Sequence, residues 1–80
     1  MTINEFNHLD EMEQAEAIWE GIFIDNRVEN GLVILLYQID SFYVEVFYHQ
    51  ELNVIRGLRS FTNTNQLEPY LRKINLDGML

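Results

Sequence analysis

Two eight-residue runs, LVILLYQI at 32–39 and FYVEVFYH at 42–49, are separated by only two residues, and Asn30-Gly31 stands just before the first. Runs of β-branched and aromatic residues bounded by turn residues read as strands, and Asn-Gly is the strongest short hairpin signal because both residues accept positive φ. With Asp40-Ser41 as a second two-residue turn, the chain is committed to an antiparallel meander. That turn sets the pairing: Ile39 faces Phe42, Tyr37 faces Val44, Leu35 faces Val46 and Val33 faces Tyr48. All eight are uncharged and share one face. The other face collects Gln38 with Tyr43, Leu36 with Glu45, and Ile34 with Phe47, and is mixed.

The flanks extend the pattern. Residues 22–28 have strand-like composition and lead into Asn30-Gly31; residues 54–61 read as a fourth strand beyond a loop at 50–53. Its register is open. One register puts Ile55, Gly57, Arg59 and Phe61 on the core face, and a slip of one residue substitutes Val54, Arg56, Leu58 and Ser60. Neither set is clean, which points to an edge strand or a bulge at Gly57.

Before the strands, Met12, Ala15, Trp19 and Ile22 fall at helical spacing with Glu11, Glu13, Glu16 and Glu20 on the remaining arc, so an amphipathic helix is expected over 10–20. Asp10 is its expected N-cap, Glu13 completes a capping box, and Gly21 is expected to end it in a left-handed conformation. After the strands, Thr62 to Asn65 offer successive N-caps, and Leu67, Tyr70, Leu71 and Ile74 form a second stripe. Pro69 fits only near a first turn, so that helix is expected to start at 63–65 and end near Ile74. The expected fold is α+β: a two-layer, antiparallel four-stranded meander in the order α-β-β-β-β-α, with both helices on the fully apolar face.

An 80-residue chain supports one core, so residues 1–80 read as one domain, with 1–9 and 75–80 loosely ordered. The absence of cysteine excludes disulfides, thiolate metal sites and a cysteine nucleophile. Apolar runs of four or five residues are far shorter than the roughly 20 that span a bilayer, so no membrane partner is expected. The acidic N-terminus lacks the features of a secretory signal, and the default address is the cytoplasm. Thirteen acids against five bases give a net charge of −8, and seven acids precede the first base, Arg27. Direct nucleic-acid binding needs a clustered basic footprint, which the chain lacks. Its acidic stretch reads as a solvated helix face or as a surface that docks on a basic partner.

No catalytic motif is present, and no enzyme activity or cofactor is expected. The nearest constellation is Tyr43, Glu45 and His49 along one strand with Arg56 beside them, the alternative being a small ligand binder or enzyme. Strand neighbours at i and i+2 stand about 7 Å apart, however, and line up without converging. Two histidines far apart in sequence, His8 and His49, do not make a metal site. Trp19 reads as core. The residues singled out are Ile34, Leu36, Tyr43, Glu45, Phe47 and His49, an apolar strip with a polar rim on the mixed sheet face, of the kind that marks interfaces. A protein partner or a second copy of the chain is the expected occupant, against cover by Ile3 to Leu9. The runner-up is an acidic inhibitor or nucleic-acid mimic of a mobile element.

At Ala17-Ile18-Trp19-Glu20-Gly21, Phe42-Tyr43-Val44-Glu45-Val46 and Arg59-Ser60-Phe61-Thr62 with Leu67-Glu68-Pro69-Tyr70-Leu71, the chain resembles a group of very short single-domain bacterial proteins with no assigned function. The resemblance implies a stand-alone domain and supplies no site residues.

Overall fold

The computed structural model describes residues 1–71. Helices α1 (Ile3–His8) and α2 (Glu11–Glu20) precede strands β1 (Ile22–Glu29), β2 (Leu32–Ile39), β3 (Phe42–His49) and β4 (Val54–Phe61). A 3-10 turn, Thr64–Leu67, then leads into helical residues 68–71. The expected end of that helix at Ile74 and the tail at 75–80 lie outside the described residues. Among the described residues no helix is long and apolar enough to cross a membrane.

The strands form one antiparallel sheet in the order β1-β2-β3-β4. Asn30 and Gly31 have φ of 52° and 78°, the double positive φ of the tightest hairpin turn. Asp40 opens the next turn at φ 51°, and the β2–β3 pairs are those that a two-residue loop dictates, from Ile39 with Phe42 to Val33 with Tyr48. The register of β4 combines both regular alternatives. Phe61, Arg59 and Gly57 stand opposite Tyr43, Glu45 and Phe47; the ladder then skips Arg56, and Ile55 faces Tyr48. A bulge beside Gly57 therefore switches faces partway along the strand.

The N-terminal residues, expected to be loose, form α1. Thr2 and Glu5 make a reciprocal capping box, and Phe6 is buried with its ring 5.6 Å from that of Phe42. Gln14 of α2 donates through Nε2 to the Phe6 carbonyl at 3.1 Å, and Ser60 of β4 donates to Asn7 Oδ1 at 2.7 Å. These bonds fix both helices over the face of Phe42, Val44 and Val46. Asp10 and Glu13 form the expected second capping box.

Three expectations need correcting. Gly21 is extended, at φ −75° and ψ −176°, and is required for space: a Cβ there would lie 2.9 Å from the Gln38 carbonyl oxygen and 3.1 Å from Ile39 Cγ1. Helix α2 is rotated from its expected phase. Ile18, supported by Ala17, enters the core, whereas Met12 and Trp19 are 75% and 86% exposed. Around a 3.6-residue helix, the side made by Gln14, Ala17 and Ile18 together lies nearly opposite the Met12–Trp19 line, so only one strip can reach the sheet. The third correction concerns the C-terminal segment, which does not join α2. Leu67 and Tyr70 pack with Leu36, Phe61 and Tyr43, residues that alternate with those beneath α2 and so belong to the opposite face.

Candidate functional site

The lone carboxylate in the apolar run of β3 organises that second face. Glu45 is 0% exposed, opposite Leu36 on one side and Arg59 on the other. Burying an unpaired carboxylate is prohibitive, so its partners decide whether the fold exists. Arg59 donates to Oε1 through Nε at 2.9 Å and through Nη2; Arg27 of β1 donates from Nη2 to Oε2 at 3.3 Å. Tyr70 donates its hydroxyl to Oε2 at 2.7 Å. A carboxylate offers about four acceptor positions, and four N–H or O–H donors meet them. Arg27 also stacks over the Tyr70 ring at 5.5 Å and pairs with Glu29. Burial, then the bond to Glu45, raises the pKa of the Tyr70 phenol well above the ordinary tyrosine value.

This clamp ties β1, β3, β4 and the C-terminal segment together. It leaves Glu45 no spare lone pair for accepting a proton from a ligand. Of the constellation weighed from sequence, Tyr43 stacks on Phe61 at 5.6 Å, and His49 Nδ1 accepts from the Leu52 N–H at 3.2 Å within its own turn. Arg56 is exposed at the bulge. The structure gathers Arg27, Arg59 and Tyr70 around Glu45 instead. Among the described residues no group of three or more His, Cys, Asp or Glu side chains is placed to hold a metal.

The same cover changes the strip read as an interface. Ile34, Leu36 and Glu45 are buried, at 2%, 1% and 0% exposure, whereas Tyr43, Phe47 and His49 are half-buried. The centre of the expected surface is thus closed within the chain. The missed signal was the carboxylate itself: a Glu flanked by Val44 and Val46, facing Leu36, demands cations across the ladder, and among the described residues Arg59 and Arg27 supply them.

The open apolar surface lies elsewhere. Met12, Ala15 and Trp19 run along the outward side of α2 and, with Glu16 and Glu20, line one shallow depression. Glu11 and Glu13 are exposed on the same helix. After Gly21 the chain enters β1, whose Ile22, Phe23, Ile24 and Val28 are also exposed.

Compared with known proteins, the chain matches no family model, no curated protein and no solved structure. Fold and site define a small α+β protein with an antiparallel meander, an ionic clamp on one face and an exposed apolar helix strip over the other.

Proposed function

We propose that the protein works through protein contacts, with the outward face of α2 as its docking surface, and that it is not an enzyme. The observation that carries this reading is Trp19, 86% exposed on a strip with Met12 and Ala15. A large aromatic left in water costs solubility and is the residue type that most often anchors an interface. Its surroundings select the occupant. Glu16 and Glu20 share its depression, and the chain carries −8 overall, so a second acidic α2 would be repelled. The fitting partner is an amphipathic protein segment with an apolar centre and Lys or Arg along its rim, met in the cytoplasm. A nucleic-acid mimic is the less favoured reading, since a mimic gains nothing from an apolar centre.

Trp19 is the chain's sole tryptophan, so its fluorescence reports directly. Titration with a Leu/Lys amphipathic helical peptide should shift the emission to the blue, and the shift should weaken with salt. A Leu/Glu peptide of the same pattern should leave it unchanged. Glu16→Lys with Glu20→Lys should reverse the preference. Equal response to both peptides, or none to either, contradicts the reading.

A further inference from the structure

We infer that the outward face of α2 selects an arginine side chain of its partner, stacked on the Trp19 indole and held between the carboxylates of Glu16 and Glu20. The inference rests on the reading of α2 as a docking surface and names the group that this surface recognises.

Helical geometry sets the constellation. Around the axis of α2, Ala15, Trp19, Met12, Glu16 and Glu20 follow one another within about 140°, and all five line the one shallow depression. The surface therefore grades from a methyl group through an indole to two acids. It matches a side chain with an apolar stem and a cationic head, whose methylenes lie over Ala15 while its charge reaches the carboxylates.

The two acids lack a counter-charge. Glu13, on the same helix, is engaged in its capping box, where Oε1 accepts from the Asp10 N–H at 3.2 Å. Glu16 and Glu20 make no hydrogen bond or ion pair among the described residues. One turn apart on the same flank, they repel each other. Glu20 is also the last residue of α2, at the negative end of the helix dipole, in a turn that contains no base. A cation between the two carboxylates relieves both effects.

Arginine rather than lysine follows from how the chain fills the same arrangement elsewhere. Arg27 lies 5.5 Å over the Tyr70 ring while it bonds Glu45 and Glu29, and Arg59 lies 5.5 Å over the Phe61 ring while it bonds Glu45. In both places a ring beside a carboxylate takes a guanidinium by its flat face and its N–H edge at once. Trp19 with Glu16 and Glu20 is a third ring beside carboxylates, set at the surface and open to a cation from outside. A guanidinium is weakly hydrated, stacks flat on an indole and offers N–H donors to both acids; an ammonium is a compact, strongly hydrated charge that gains less from the ring.

The test compares two helical peptides of one pattern, Leu/Arg and Leu/Lys, by calorimetry on the full chain at low salt. Wild type should bind the Leu/Arg peptide about fivefold more tightly. Trp19→Leu, which keeps the strip apolar and removes the indole, should bind the two alike, and Glu16→Gln with Glu20→Gln should weaken both, each variant with the circular dichroism of wild type. Equal affinity of wild type for the two peptides, or an arginine preference that survives in Trp19→Leu, would overturn the assignment of arginine and leave the docking surface standing. Absence of binding by either peptide would overturn the docking surface as well.

Discussion

The hydroxyl of Tyr70 lies 2.7 Å from Oε2 of Glu45, joining the C-terminal segment to the middle of the sheet across 25 residues of sequence. That bond sits on the face opposite α1 and α2. It means that the two sheet faces are covered by different ends of the chain.

Removing the carboxylate should be the most damaging single change on that face. Glu45→Leu strands the guanidiniums of Arg27 and Arg59 without their counter-charge, at a cost of about 3 kcal/mol. Tyr70→Phe removes one donor and should cost about 1 to 2 kcal/mol. Urea denaturation of Tyr70→Phe, Glu45→Gln and the double variant should give a cycle that is clearly non-additive, because the two groups share one bond.

Alkaline pH should destabilise the fold through the same residue. Tyr70 holds its proton above the ordinary value of 10.0, by burial first and by the Glu45 bond second. A raised folded-state pKa contributes stability that is complete below the unfolded value and declines as pH climbs beyond it, since only the unfolded chain then releases the proton. Thermal midpoints should fall above about pH 10 in wild type, and fall less in Tyr70→Phe.

Gly21→Ala tests the turn from α2 into β1. Its backbone is one any residue adopts, so conformational strain is not the issue; the added methyl meets the Gln38 and Ile18 carbonyl oxygens at 2.9 Å and 3.2 Å, and backbone cannot rotate away. A loss of about 1 to 3 kcal/mol in urea denaturation is expected.

The two strips of α2 should separate stability from contact. Ile18→Ala opens a cavity beneath the helix and should cost about 2 to 4 kcal/mol. Trp19→Ala should leave the urea midpoint nearly unchanged, within about 0.5 kcal/mol, yet abolish the response to a basic amphipathic peptide, read for this variant by calorimetry.

The strands were legible because three independent signals agreed on them: apolar run length, two-residue turn chemistry and alternation. The phase of α2 was not, since Ala17 and Ile18 compete with Met12, Ala15 and Trp19, and periodicity alone does not say which strip meets a sheet. Helix α1 escaped notice because six residues are too few for a periodic pattern; its signature was the Thr2–Glu5 capping box. The register of β4 required a long-range fact, the pairing of Arg59 with Glu45, which local pattern does not contain. The strip of Ile34, Leu36, Tyr43, Glu45, Phe47 and His49 was read as open because the helix of Tyr70 was expected on the fully apolar face, whereas Tyr70 bonds Glu45 on the other.

The outward setting of Trp19 carries the functional account, and its own emission tests it most directly. In dilute protein the sole tryptophan should emit like the free amino acid in water and be fully open to acrylamide quenching. A blue emission shielded from the quencher would place Trp19 in the core and contradict the account.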